Sequence, residues 1–455
     1  MKRLSFVLLV TIVVGLFGAG SVFAQGTWNT GIDIQNLTGT AGTVTVAFYN
    51  ADGSDAGSLN SAIDAWGSLN FYLPLESAPP EGGQYSAVVS SDVMVGVTSS
   101  QANYDLGGSD IYLGTSQPQD KLNFPLVYRN HTSGNWNTKL VIQNASDTAQ
   151  TVTLSLYSVG ETAPDATDTA TIQPYAAYVF DIADAEYAAF GPYGSAVVEG
   201  TAPLAGVADN IRNPGTRVNV IESSYRAFGD AQAGDEVILP LVYKNYNLWT
   251  TGVNLFNAGD ISTTVTITYT GTNIPGTVVD TIELGPNAMG IFYTPVNTTG
   301  LPDSWYGSAV VTSSDTDLYV VVASQRYRTT GAEGVAYEGS LRSEATACVS
   351  LPVVHNRTTW KTGINILNMG GVDANVTINY ASSAVGIPDA TQNIVVPANS
   401  PLTVYMPTDG TTGLGFYGAA DVKSTNGQFL LINAAHSRAD QGVGTNFVGI
   451  NYTCP

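Results

Sequence analysis

The segment Trp28-Asn-Thr-Gly-Ile-Asp-Ile-Gln-Asn36 begins a pattern that returns three more times along the chain. The later copies are Trp136-Asn-Thr-Lys-Leu-Val-Ile-Gln-Asn144, Trp249-Thr-Thr-Gly-Val-Asn-Leu-Phe-Asn257 and Trp360-Lys-Thr-Gly-Ile-Asn-Ile-Leu-Asn368. A spacing of about 110 residues is typical of one domain repeated in tandem. The pattern therefore predicts four copies of one structural unit.

A tyrosine followed by small and β-branched residues forms a second landmark in each copy. It lies 57 residues after the Trp of its own copy, at Tyr85, Tyr193, Tyr306 and Tyr417. A constant offset means that the strands and turns between the two landmarks keep one length. We therefore interpret the Trp and Tyr residues as core landmarks of four modules, each with its own core.

A third landmark precedes the Trp in three copies only. It reads Phe124-Pro-Leu-Val-Tyr128, Leu239-Pro-Leu-Val-Tyr243 and Leu351-Pro-Val-Val-His355. The first copy lacks this leading strand. An unpaired strand edge in that copy would accept a strand from another subunit.

Each copy alternates apolar and polar residues, as in Thr151-Val-Thr-Leu-Ser-Leu-Tyr157, which is the pattern of a strand with one buried face. We find no stretch with helical periodicity. The sequence therefore predicts an all-β chain of four tandem immunoglobulin-like β-sandwich domains in a rod. The expected boundaries are 1-24 for a signal peptide and 25-118, 119-230, 231-344 and 345-455 for the four sandwiches.

The first 24 residues have the features of a secretory signal. Lys2 and Arg3 precede an apolar run from Leu4 to Phe17, and small residues end at Ala24, so we expect cleavage before Gln25. An uncleaved membrane anchor is the alternative, although the run is short for a membrane span. We expect no transmembrane segment in the mature chain, and a secreted, cell-surface location.

Across the mature chain, this pattern resembles the tandem immunoglobulin-like or fibronectin-like modules of secreted bacterial surface proteins. It lacks the buried cysteine pair that antibody domains carry between their sheets. The resemblance implies extracellular scaffolding or adhesion and identifies no ligand.

The two cysteines, Cys348 and Cys454, flank the fourth copy. Export favours a disulfide between them, and the chain-entropy model gives such a long loop about 4–5 kcal/mol of stabilisation. Free thiols are the alternative.

The formal net charge of −21 excludes nucleic acid as an expected partner. Acidic turns at Asp52 to Asp55 and Asp315 to Asp317 would attract Ca²⁺, but neither matches a known calcium loop, so we expect solvated turns and no cofactor.

Catalytic chemistry is not indicated. His131, His355 and His436 do not recur at one repeat position and have no motif partners, and the residues shared among copies set strand and turn geometry. We therefore predict that the chain is not an enzyme.

Two features suit a binding role. Trp28, Trp136, Trp249 and Trp360 could stack on sugar rings in a row, or each could plug one end of its core. The loop before the Trp collects scarce cations and rings, and we name as candidate ligand or subunit contacts Arg129, His131, Lys244, Tyr246 and Arg357. A solvated loop or a contact between domains is the alternative for these residues.

The main hypothesis from the sequence is a non-enzymatic extracellular structural protein that assembles at the cell surface, in a surface layer, sheath or filament. We expect its partners to be further copies of itself or other cell-surface components. The alternative is an adhesin or carbohydrate-binding protein that uses the Trp and loop residues, with glycans as partners.

Overall fold

The computed structural model describes residues 8–14, 28–103, 108–132, 134–212, 220–271, 274, 277–297, 300–328, 331–438 and 443–454. The predicted signal cleavage site, at residues 21–25, lies outside the described residues.

The described chain consists mainly of strands, which fall into four units. Unit 1 contains β1 (Leu8–Val14), β2 (Trp28–Asn36), β3 (Gly42–Tyr49), β4 (Asp55–Ile63), β5 (Ser68–Tyr72), β6 (Tyr85–Ser91), β7 (Val95–Asn103) and β8 (Gly108–Leu113). Unit 2 contains β9 (Gln119–Tyr128), β10 (Trp136–Asn144), β11 (Gln150–Ser158), β12 (Ala166–Ile172), β13 (Ala177–Asp181), β14 (Tyr193–Arg212) and β15 (Ile221–Arg226).

Units 3 and 4 follow the same order. Unit 3 contains β16 (Glu236–Lys244), β17 (Thr250–Asn257), β18 (Thr263–Gly271), β19 (Val278–Leu284), β20 (Met289–Tyr293), β21 (Trp305–Ser313), β22 (Leu318–Arg328), β23 (Gly331–Glu338) and β24 (Ser340–Leu341). Unit 4 contains β25 (Cys348–Asn356), β26 (Trp360–Asn368), β27 (Ala374–Ser382), β28 (Ala390–Val396), β29 (Pro401–Tyr405), β30 (Phe416–Ser424), β31 (Leu430–Arg438), β32 (Val443–Val448) and β33 (Ile450–Tyr452).

Helical structure in the described ranges is short. The two α-helices, α1 (Thr294–Asn297) and α2 (Met406–Asp409), have four residues each. Single 3-10 turns lie at Leu73–Leu75, Ala185–Tyr187, Asp230–Gln232 and Arg342–Glu344. Among the described residues, no helix is long and apolar enough to cross a membrane. The all-β expectation is confirmed.

Eight strand positions, A to H in chain order, recur in every unit. They pair in the orders D-C-F-A and E-B-G-H, as in the two antiparallel sheets β4-β3-β6-β1 and β5-β2-β7-β8 of unit 1. In unit 4, the pairing of Asn356 with Lys361 joins strands A and B, so the two sheets are continuous. In unit 2, the long strand β14 supplies both F and G. An immunoglobulin domain instead orders its strands A-B-E-D and C-F-G. The immunoglobulin order expected from the sequence is therefore not the observed one, because strand A pairs with strand F.

The repeated asparagine that ends strand B explains why the copies share one length. Asn144 donates through Nδ2 to the carbonyls of Thr148 at 2.7 Å and Ile172 at 3.1 Å, and its Oδ1 accepts from the amide of Ser146 at 3.0 Å. The other units repeat these bonds at the same sequence offsets, from Asn36, Asn257 and Asn368. One buried side chain thus fixes the B–C turn and the turn after strand D together.

Neighbouring units pack through strand A. Leu122–Val127 of strand A in unit 2 is buried on both faces, because one face lies on its own core and the other contacts β17 and β22 of unit 3. The same contact joins β16 to β26 and β31, β25 to β2 and β7, and β1 to β10 and β14. A strand buried on both faces shows a continuous apolar run, which explains the Leu-Pro-Leu-Val segments.

The H strands close the four units into a ring. β8 contacts β15, β15 contacts β23, β23 contacts β32, and β32 contacts β8 again. Head-to-tail contacts between equivalent units give a ring when the rotation from one unit to the next closes on itself. Here the ring forms within one chain. The rod expected from the sequence is therefore wrong, because unit 1 contacts unit 4. A rod would leave the second apolar face of each A strand in water.

The expectation of four separate cores is also wrong. One apolar cluster contains core residues of units 3 and 4 together with Ile111 and Leu113 of unit 1. The core of unit 2 similarly extends to Phe256 and Tyr319 of unit 3. The cores merge where the doubly buried strands meet their neighbours.

The predicted disulfide is confirmed. Cys348 and Cys454 are bonded with their Cα atoms 5.4 Å apart, and the described chain has no free cysteine. The bond ties the start of β25 to the segment after β33, which pairs with β25. It therefore closes unit 4 upon itself.

Candidate functional site

Three of the candidate contact residues, His131, Tyr246 and Arg357, lie in a ring cluster at one end of units 2, 3 and 4 respectively. In unit 2, Tyr128 at the end of strand A stacks on His131 at 5.3 Å and lies 5.4 Å from Trp136, between ring centroids. His131 in turn meets the edge of Tyr193 at 5.0 Å. Unit 2 thus brings together both landmarks and one predicted loop contact.

Units 3 and 4 build the same cluster from other side chains. In unit 3, Tyr243 lies 5.7 Å from Trp249, and the loop residue Tyr246 lies 4.6 Å from Tyr306. In unit 4, the rings are His355, Trp360 and Tyr417, and the guanidinium of Arg357 lies 5.8 Å from the Tyr417 ring. The same place in units 2 to 4 is therefore a site of ring packing, although its side chains differ from unit to unit.

The predicted cations are placed differently from one another. The ammonium of Lys244 is buried and donates to the carbonyl of Leu301 at 2.7 Å. Arg129 donates to the carbonyl of Asp184 at 3.4 Å, and Arg357 is exposed above Tyr417. The three cations therefore do not form one shared patch.

The repeated tryptophans are mostly enclosed. Trp136 is only 8% exposed and packs against Ile221 of its own unit and Ala332 of unit 3. Trp249 lies under the guanidinium of Arg326 at 4.7 Å, and Trp28 and Trp360 are half-buried. Tyr85 is buried and donates through its hydroxyl to the carbonyl of Pro80 at 2.9 Å.

Two histidines that have no sequence motif meet in unit 4. The rings of His355 and His436 lie 5.3 Å apart, and His436 Nδ1 is 2.9 Å from the hydroxyl of Thr362. Burial lowers the pKa of His436 to about 3 and holds the pKa of His355 well below its usual range. Both rings are therefore neutral near pH 7. The two rings meet because strands A and G bring together residues far apart in sequence, which a search for sequence motifs does not detect.

Buried carboxyl groups form a second feature, which the sequence did not reveal. Asp110 of β8 faces Asp209 and Glu222 of unit 2, with Ser224 between them. Burial raises the pKa of Asp110 to about 6, and burial together with Asp110 raises the pKa of Asp209 to about 7. Burial also raises the pKa of Glu222 well above its usual range. A lone acid inside an otherwise buried strand, as in Gly108-Ser-Asp-Ile-Tyr-Leu113, was the available signal.

A cleft of about 560 Å³ lies where all four H strands end, and all four units contribute to its lining. Arg226 donates through Nη1 to the carbonyl of Gly114 at 3.3 Å, and its backbone amide donates to Glu338 at 2.5 Å. These bonds join the segments that connect consecutive units. The cleft is therefore built around the junctions of the ring.

The acidic turns form ordinary local hydrogen bonds. Asp52 accepts from the amide of Ser54 at 2.9 Å, and Asp55 accepts from the amide of Gly57 at 2.7 Å. Within the part of the chain that the structure describes, no three His, Cys, Asp or Glu side chains are grouped to hold a metal ion.

No known protein family and no curated protein matches this chain. Among solved structures, Thermotoga maritima protein 1070 is 14% identical with a TM-score of 0.22, over 24% of this chain and 95% of that chain. A family 32 glycoside hydrolase from Bifidobacterium adolescentis is 8% identical with a TM-score of 0.15, over 94% and 98% of the two chains. Escherichia coli alpha-2-macroglobulin activated by porcine elastase is 11% identical with a TM-score of 0.11, over 92% and 41%. TM-scores of this size carry no argument about function.

Proposed function

We propose that the chain is an exported, non-enzymatic structural protein that assembles at the cell surface. Its building block is a β-sandwich module of eight strands, used four times and closed into a ring. The observation that carries the proposal is that the residues shared by all four units stabilise the strands and turns of the module. The Asn at the end of strand B bonds two turns in every unit, and in units 2 to 4 the landmark Trp and Tyr rings pack in the ring cluster at the end of the unit.

The periphery of the ring supports lateral assembly. Strands D and E form the outer edges of the sheets, and in the described ranges each pairs on one side only. Unpaired edges are templates for contact with another chain. Apolar side chains are exposed there, including Val279 on β19 at 48% and Val395 on β28 at 55%.

The assembly is tested by electron microscopy of the native cell surface and by sedimentation of the purified exported protein at rising concentration, with and without Ca²⁺. We expect polymers, and we expect Val279→Lys with Val395→Lys to reduce them at least tenfold. Val385→Lys is the matched control, because Val385 is fully exposed in a loop between strands C and D. Monomers at every concentration would contradict the proposal.

Glycan adhesion is the competing function, and the ring clusters supply its site. Saturable glycan binding on an array, lost in both Tyr246→Ala and Arg357→Ala, would favour adhesion. The enclosure of Trp136 and the burial of the Lys244 ammonium favour assembly, because neither group offers a free face to a sugar.

A further inference from the structure

The position of strand A is filled by a different kind of segment in unit 1 than in the other units. Units 2, 3 and 4 fill it with the chain's own leading strands β9, β16 and β25, whereas unit 1 fills it with Leu8–Val14. That segment lies inside the predicted secretory signal. The inference rests on the proposed function, which requires export, and on removal of the signal during export, which vacates the place.

The vacated slot has two walls. One is the edge of β6, which pairs with β1 from Leu8 opposite Ser91 to Val14 opposite Tyr85. The other is the sheet of unit 2 formed by β10 and β14, which β1 also contacts. Val141 and Val207 on that sheet belong to the same apolar cluster as the core of unit 1. An occupant must therefore be a strand that is apolar on both faces.

The acceptor strand also indicates the shape of the occupant. In units 2 to 4, the pairing of strands A and F shifts register, between Gly194 and Ala196, Leu239 and Val242, and Leu351 and Val354. Each shift lies at the proline of strand A. In unit 1, β6 has one residue fewer after its Tyr, and its pairing with β1 is continuous. The slot therefore fits a regular strand without proline.

A buried hydroxyl in the slot lacks the bond that its equivalents make. Thr138, Thr251 and Thr362 each accept, through Oγ1, an amide near the end of strand A, from Tyr128 at 2.8 Å, Tyr243 at 3.0 Å and His355 at 2.8 Å. Thr30 occupies the same place in unit 1, is 1% exposed, and its Oγ1 has no hydrogen-bond partner. Leu8–Val14 thus fills the slot but leaves the buried Thr30 hydroxyl unpaired, which is unfavourable.

We propose that the exported chain carries an open acceptor slot between β6 and the β10–β14 sheet. The slot binds a strand of another polypeptide that is uncharged, apolar on both faces and free of proline, and that donates an amide to Thr30. This strand addition seals the ring at the junction of units 1 and 2.

The test uses protein exported by a heterologous secreting host, where the natural partner is absent. Intact mass gives the amino terminus, and a fluorescein-labelled peptide with the sequence of Leu8–Val14 between added lysines is then titrated by anisotropy. We expect saturable binding, at least tenfold weaker for the same peptide with Ile12→Pro. Thr30→Val should tighten binding of this peptide at least fivefold, because Leu8–Val14 leaves the buried Thr30 hydroxyl unpaired. Thr251→Val should leave binding unchanged, since Thr251 lies outside the slot and already accepts the amide of Tyr243 on β16.

Disulfide trapping checks the register independently of affinity. Ser90→Cys adds a single free thiol, because both native cysteines are bonded to each other. A peptide carrying Leu9→Cys should be trapped, and one carrying Ile12→Cys should not, because Leu9 lies opposite Ser90 and Ile12 opposite Ala87.

Three results would overturn the inference: an exported chain that retains residues 8–14, equal binding of the parent peptide and its Ile12→Pro variant, or equal effects of Thr30→Val and Thr251→Val. None of these results depends on whether the protein polymerises, so failure here is distinguishable from failure of the proposed surface assembly.

Discussion

Replacing Asp110 by Asn should stabilise the protein at alkaline pH. The carboxyl of Asp110 is buried, its Oδ1 accepts from the amide of Ile111 at 2.8 Å, and its Oδ2 has no hydrogen-bond partner. The carboxyls of Asp209 and Glu222 lie nearby, and the charge of Lys139 acts to lower the pKa of both. The carboxylate of Glu338 in unit 3 acts to raise the pKa of Asp110. An amide keeps the Oδ1 acceptor and turns Oδ2 into a donor beside two acids.

The magnitude follows from the pKa of Asp110, which burial raises from 3.8 to about 6. A group whose pKa is raised on folding favours the folded state at low pH, and this contribution is lost as the pH rises from about 4 through 6. Two pKa units correspond to about 3 kcal/mol. The amide introduced by D110N does not titrate, so we expect this variant to gain up to about 3 kcal/mol at pH 8 and almost nothing at pH 4.

The assay is urea unfolding of D110N and the natural chain at pH 4, 6 and 8 at constant ionic strength. The control is Asp120→Asn, at an exposed position, which should change stability by less than about 0.5 kcal/mol at each pH. An equal gain at pH 4 and pH 8, or a loss of stability at pH 8, would refute the reasoning.

Three further predictions concern the disulfide and two buried side chains that stabilise the fold. Replacing both cysteines, Cys348→Ala with Cys454→Ala, should cost up to about 4–5 kcal/mol of unfolding free energy, and calorimetry showing no fall in Tm would contradict this. Asn368→Ala should cost about 3 kcal/mol because it leaves buried carbonyls unpaired, whereas Asn393→Ala at an exposed position should cost under about 1 kcal/mol in the same urea titration. Tyr337→Phe removes a hydroxyl that donates to the carbonyl of Leu241 at 2.5 Å and accepts its amide at 3.2 Å. It should cost about 2 kcal/mol, and hydrogen exchange at Leu241 that stays as slow as in the natural chain would argue against that role.

The sequence by itself determined the strand layout of the unit. The spacing from Trp136 to Tyr193 and the alternation of Val152, Leu154 and Leu156 with polar neighbours are local signals, because a strand with one buried face has a period of two. The recurrence of Asn144 and its equivalents marked turns that the structure fixes through one side chain. The disulfide could be predicted because chain order alone placed both cysteines at the limits of unit 4.

Only the tertiary structure decided how the units are arranged. Period-two alternation tells which face of a strand is buried and not what covers it, so the double burial of Leu122–Val127 did not reveal the neighbouring unit. Asp110 and Asp209, or His355 and His436, meet through contacts between strands far apart in the chain, and no local pattern encodes such meetings. Ring closure and the slot beside β6 exist only once four copies pack together, because each copy buries part of its surface on the next.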